Sequence, residues 1–206
     1  TLLKRFPDAI IKVMHEASLS ESYRQYAVKD KRVEYFSEVE GCIKFPRFRI
    51  HDVYTNHTWL WKWHPTYRRM ESIYKWADVV VCAPGGICMG GFQDWNHLYH
   101  LRLAQLFKRP LAYYGRSFGP FPTETERNRQ FKKISLDMLH YFGYLSIRDH
   151  KTELLADELK VPYISTIDSA FLDSPKVEIP YELKSVVGNK PYMVFVPNYL
   201  LWHYAY

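Results

Sequence analysis

Four places in this chain set chemically able residues directly after apolar runs. "VVVCAP" leads into Gly85-Gly86, "PLAYY" into Gly115, Arg116 and Ser117, "YLSI" into Arg148 and Asp149, and "YISTI" into Asp168 and Ser169. A glycine pair lets backbone N–H groups approach an anion with no Cβ in the way. A guanidinium presents planar, paired donors to a phosphate or carboxylate. A carboxylate or hydroxyl nearby can receive a sugar hydroxyl. The combined chemistry is capture of a small anion beside a polyhydroxyl partner.

Each residue also has a plainer role. Gly85-Gly86 could form a tight turn; no Gly-Lys-Ser/Thr follows it, and it lacks the GxGxxG spacing of dinucleotide binders. Arg148 could pair with Asp149 or another acid at the sheet edge. Asp149 could cap a helix, and Asp168 could close a turn, orient Arg148 or hold a hydroxyl. Arg116 could bind an anion or lie solvated, and Asp94 could cap a helix or bind a hydroxyl. His97 and His100 stand i, i+3 on a helix, off its apolar stripe and with no cluster of further ligands, so no metal site is expected.

The elements that carry these groups alternate between strand and helix patterns from Ala77 onward, which predicts a parallel sheet with crossover helices. "DVVVCAP" reads as a strand covered on both faces. "FQDWNHLYHLRLAQLFKRP" reads as a helix with a stripe of Trp95, Tyr99, Leu103 and Leu106, stopped at Arg109-Pro110. A second helix has Thr123 as cap, Glu126 completing a capping box, Phe131, Ile134, Met138 and Phe142 as its stripe, and Gly143 at its end. Asp149 begins a third helix that breaks at Val161-Pro162. The glycine loop is expected to gain the positive end of the helix that follows it. Ligands in such sheets sit beyond the carboxyl ends of the strands, where all four polar groups fall.

Before Ala77 the reading is sparser. Leu2–Phe6 reads as the end of a helix, Ile10–Met14 as a strand, residues 32–50 as a short strand or an irregular excursion, and Arg68–Trp76 as a helix. Trp59, Trp61 and Trp63 alternate as a strand does, and pack on a sheet or form an acceptor platform. Residues 173–190 read as a linker and a new strand begins at Tyr192. The expected division is a Rossmann-like domain over residues 1–172, its first strand missing, a linker over 173–190, and the start of a second Rossmann-like domain over 191–206. The chain reads as a fragment.

Composition sets outer bounds. The chain has 206 residues, 47% hydrophobic and 24% charged, with a formal net charge of +6. That charge fits small anions, an anionic membrane surface or nucleic acid, but the basic residues are scattered with no dense run, which favours an evenly solvated basic surface and no nucleic-acid partner. Cys42, Cys82 and Cys88 form no CxxC pair and suit a reducing compartment. No signal peptide or long apolar span is visible, and the sequon at Asn56 carries little weight without secretion.

Taken in order, "WADVVVCAPGGICMGGFQD", "RPLAYYGRSFGPF", "LSIRDHKTELL" and "TIDSAF" resemble the four ordered segments of the polysaccharide pyruvyl transferase family, over roughly residues 70–172. This chain departs from the pattern at the third glycine, replaced by Pro84 or Ile87, and at Arg116, where an uncharged residue is commoner. The resemblance implies an α/β fold like one half of a B-type glycosyltransferase. It implies transfer of a pyruvyl group from phosphoenolpyruvate to two sugar hydroxyls as a ketal, in exopolysaccharide or cell-envelope synthesis, with no cofactor. The acceptor would be a sugar or a lipid-linked saccharide, the latter placing a cytoplasmic protein at the inner membrane face. Gly85, Gly86, Asp94, Arg116, Ser117, Arg148 and Asp168 are the expected substrate contacts, with Arg148 foremost. The family's Arg-Leu-His motif, which supplies the general acid, is not among these residues, so the acid is expected outside them. Two other functions fit the same residues: a nucleotide-sugar glycosyltransferase of similar architecture, and a non-catalytic sugar- or anion-binding module.

Overall fold

The computed structural model describes residues 2–15, 20, 27–37, 65–86, 89–172 and 181–188. A short helix α1 (Leu2–Arg5) precedes strand β1 (Ile11–His15), which pairs in parallel with β2 (Val33–Ser37). Helix α2 (Pro65–Trp76) leads to a second, four-stranded parallel sheet. Its strands are β3 (Val80–Cys82), β4 (Leu111–Arg116), β5 (Tyr144–Ile147) and β6 (Ile164–Ser165), in that spatial order. The crossovers are α3 (Trp95–Leu106), α4 (Glu126–Tyr141) and α5 (His150–Glu158); a 3-10 turn (Ser169–Leu172) and α6 (Tyr181–Val187) follow. The expected α/β, Rossmann-like class is what the chain adopts. Helix α6 lies within the stretch expected to be a linker, while Trp59, Trp61, Trp63, Cys42, Cys88, Asn56 and the strand at Tyr192 lie outside the described residues.

Right-handed crossovers between strands laid down in sequence order put α3, α4 and α5 on one face of the sheet. The register agrees: Cys82 stands beside Tyr113, and Tyr113 beside Leu145. Tyr113 and Leu145 are buried among the residues of these helices, with Tyr113 4.9 Å from Phe142 and 6.0 Å from His97 between ring centroids. The opposite face carries Val81, Ala112 and Tyr144 in one row, then Ile164. Val81 is 44%, Tyr144 40% and Ile164 54% exposed. The apolar strand "VVVC" therefore corrects the expectation of cover on both faces, because every crossover in this sheet falls on the same side.

The stripe of α4 is buried as its spacing predicts, at Phe131, Ile134, Met138 and Phe142. Its cap is Thr125 rather than Thr123: the Thr125 hydroxyl accepts from the Asn128 N–H at 3.1 Å, and Glu126 is the first helical residue. Arg129 donates to the Thr123 carbonyl at 2.9 Å and holds that residue outside the helix. Helix α3 exceeds its predicted stripe. Leu98, Leu101, Arg102 and Ala104 are buried along with Trp95, Tyr99 and Leu103, since the helix lies between the sheet, α2 and α4. Arg102 survives there by reaching Asp137 on α4 at 2.6 Å.

Candidate functional site at the strand carboxyl ends

The four strand ends lie side by side along one sheet edge. Gly85 bridges to Arg116 at the end of β4, Arg116 stands beside Ile147 at the end of β5, and Ile147 beside Ser165 at the end of β6. Loop contacts tie the same edge together. The Gly119 N–H donates to the Met89 carbonyl at 2.6 Å, and the Thr166 N–H to the Ile147 carbonyl at 2.8 Å.

The last of these ends carries an ion pair. Arg148, just past β5, donates through Nη1 to Asp168 Oδ2 at 2.5 Å, with the side chains 22% and 33% exposed. The remaining nitrogens of Arg148 have no partner among the described residues, so the guanidinium is oriented by Asp168 and still able to accept a second anion. Two of the roles open to these residues are present: the pair orient each other, and the Asp168 carbonyl closes a turn by accepting the Phe171 N–H at 3.0 Å.

Asp149 works inward. Its carboxylate caps α5 by accepting from the Thr152 N–H at 2.9 Å, takes the Thr152 hydroxyl, and accepts from the Ser117 hydroxyl at 2.5 Å. Burial works to raise the Asp149 carboxyl, but donation from Ser117 and from the Thr152 backbone and hydroxyl outweighs it and holds the group below the usual aspartate value. Ser117 is buried and committed to this bond, so it ties the loop after β4 to α5. Thr152 is a partner the sequence reading missed; its place three residues after a capping aspartate was the available signal.

Arg116 is neither solvated nor open at the surface. It is 9% exposed, and its Nη1 donates to the Ala83 carbonyl at 2.7 Å and lies 3.4 Å from Cys82 Sγ, while Nη2 reaches the Gly86 carbonyl at 3.2 Å. A bulge in β4 turns it inward. The register with β5 slips between Tyr113 and Arg116, with Gly115 at φ +55, a conformation that side chains other than glycine seldom adopt. The Gly115 N–H is satisfied by the Ser146 hydroxyl at 2.8 Å. The extra residue puts Arg116 on the same sheet face as Tyr113, over whose ring its guanidinium lies at 5.3 Å.

Asp94 meets the capping expectation: it caps α3, accepting from the His97 N–H at 2.9 Å. The histidines part company. His100 Nδ1 is 2.9 Å from the Tyr74 hydroxyl, whereas His97 packs toward the sheet, 3.8 Å from Cys82 Sγ, instead of standing off the packed stripe. Burial, then the neighbouring Arg116 and His100 charges, lower the His97 pKa to about 3, so its imidazole is neutral. A groove of about 660 Å³ lies elsewhere, on the helical layer between Arg102, Arg129, Lys133 and Asp137.

A parallel α/β domain with a glycine loop, an oriented guanidinium and carboxylates along its strand carboxyl ends is Rossmann-like in fold. Residues 2–202 match the family model described as polysaccharide pyruvyl transferase, nearly the whole chain, and the chain belongs to that family. It is accordingly a transferase, moving pyruvyl groups in polysaccharide biosynthesis. No curated protein and no solved structure gave a significant match. No helix among the described residues is long and apolar enough to cross a membrane.

Proposed function

We propose that the donor is phosphoenolpyruvate and that the product is a cyclic pyruvyl ketal on a saccharide of the exopolysaccharide or cell envelope. The observation that carries this reading is Arg148, held at the strand edge by Asp168 with part of its fork still available. Phosphoenolpyruvate brings a phosphate and a carboxylate close together, and a guanidinium on the same sheet edge as a glycine loop can neutralise such a pair without a metal. In the reaction a general acid protonates the methylene carbon, leaving an oxocarbenium-like centre at the adjacent carbon. One sugar hydroxyl bonds to that centre and releases its proton. The carbon–oxygen bond to phosphate then breaks, and a second hydroxyl closes the ring and gives up its proton. One proton enters and two leave, one of them with the departing phosphate, so the balance closes with no redox partner.

Asp149 and His97 are both poorly suited to be the acid: donation from Ser117 and Thr152 favours the ionised Asp149 carboxylate, and burial with the Arg116 charge favours the neutral His97 imidazole. Gly85 and Gly86 form the floor, Arg148 contacts the donor anion, and Asp168 orients Arg148 or receives an acceptor hydroxyl. A lipid-linked acceptor would bring a protein of charge +6 to an anionic cytoplasmic membrane face.

Incubation with phosphoenolpyruvate and candidate saccharides, read by phosphate release and by mass and NMR of the saccharide, tests the proposal. Phosphate release coupled to a ketal is expected. Nucleotide release from a sugar nucleotide, with phosphoenolpyruvate inert, would replace it with glycosyl transfer; binding of either without turnover would leave a binding module.

A further inference from the structure

Gly85 rests directly on the face of the Arg116 guanidinium: a Cβ on Gly85 would lie 3.3 Å from each of its Cζ, Nη1 and Nη2 atoms. Equal distances to three atoms of a planar group place that point above the plane, not at its edge. The guanidinium also lies over the Tyr113 ring, and its two terminal nitrogens hold the Ala83 and Gly86 carbonyls on either side of Gly85. The loop is thus laid across a buried cation and fastened at both ends. The bulge at Gly115 is what makes this reachable, since without the extra residue Arg116 would leave β4 on the other sheet face.

From this packing we propose that Arg116 is a positioning residue for the donor site: it fixes the Gly85-Gly86 loop in one conformation and supplies a fixed positive charge beneath the place where the donor's anionic group rests. It touches the loop, not the donor. The neutral His97 imidazole beside it adds no competing positive charge. A cation in a water-poor position acts on an anion above it more strongly than a solvated one, and needs no reorganisation when the anion arrives. The charge effect rests on the phosphoenolpyruvate reading above; the fastening of the loop does not.

The experiment compares wild type with Arg116→Gln and Arg116→Lys by hydrogen exchange of the 83–91 segment, phosphoenolpyruvate titration, and KM against kcat. Arg116→Gln is expected to exchange faster in that segment alone and to bind phosphoenolpyruvate about tenfold more weakly or worse, a loss on the scale of one charge-assisted contact. The loss should appear in KM with kcat nearly kept. Arg116→Lys should recover part of the affinity, because it restores the charge without the two-carbonyl fork. Unchanged exchange in Arg116→Gln would overturn the proposal. So would raised exchange with unchanged affinity, which is the signature of a merely structural side chain. If Arg116→Gln does not fold, Gly85→Ala lifts the loop off an intact guanidinium, and unchanged affinity there would equally overturn it. If wild-type protein ignores phosphoenolpyruvate, the functional reading fails, and loop exchange alone decides whether Arg116 fastens the loop.

Discussion

At the residue scale, glycine and histidine separate stability from binding. A Cβ on Gly86 meets no atom of the described residues within 4 Å, so Gly86→Ala should leave the unfolding free energy within about 0.5 kcal/mol of wild type, as for other contact-free surface changes. If the loop is the floor of the donor site, the added methyl should nonetheless weaken phosphoenolpyruvate binding. Calorimetry and thermal melts on the same variant check both halves. His97 gives the opposite pairing, a stability effect tied to pH. An ordinary histidine titrates near 6.5, whereas burial lowers His97 to about 3. Between those values the unfolded chain takes up a proton that the folded protein refuses. Stability therefore falls as pH drops through that window, by up to about 1.4 kcal/mol per pH unit. Urea unfolding at pH 7 and pH 5 should show wild type losing about 2 kcal/mol more than His97→Gln. Equal losses would show that His97 titrates normally.

At the scale of elements, Asp149 joins three pieces of structure: it caps α5, takes the Ser117 hydroxyl from the loop after β4, and takes the Thr152 hydroxyl. Asp149→Ala removes the cap and leaves the buried Ser117 hydroxyl without its acceptor, for an expected loss of about 2–3 kcal/mol in urea unfolding. Asp149→Asn, which can still cap, should recover part of it. Because the folded Asp149 value is depressed, its contribution is full above the ordinary aspartate range and fades as acid protonates the folded form. Local chemistry made this cap legible in the sequence, as it did the capping role of Asp94 and the stripe of α4. The Thr123 assignment failed by two residues because Glu126 three positions on gave it the capping-box signal, whereas Thr125, with Asn128 at that spacing, is the residue whose hydroxyl takes the helix N–H. The bulge at Gly115 could not be read, since a glycine at the end of an apolar run looks the same whether the strand stops or slips register.

At the scale of the whole molecule, alternation of patterns revealed the parallel α/β class, and the glycine, arginine and aspartate positions revealed the edge where they gather. Strand order did not follow from either. Pairing between strands is non-local, and the order β3-β4-β5-β6 is what places all three crossover helices on one face and leaves Val81, Tyr144 and Ile164 on the other. The inward turn of Arg116 belongs to this class too: its residue type signalled an anion, while its burial depends on a neighbouring strand's register. The proposed donor site requires the strand carboxyl ends to act together, with Arg148 as the contact oriented by Asp168. Titration of phosphoenolpyruvate into wild type and a folded Arg148→Ala variant tests that most directly. Loss of a hydrogen bond between charged groups predicts about tenfold to a hundredfold weaker binding in the variant. Equal affinity in the two proteins would contradict it.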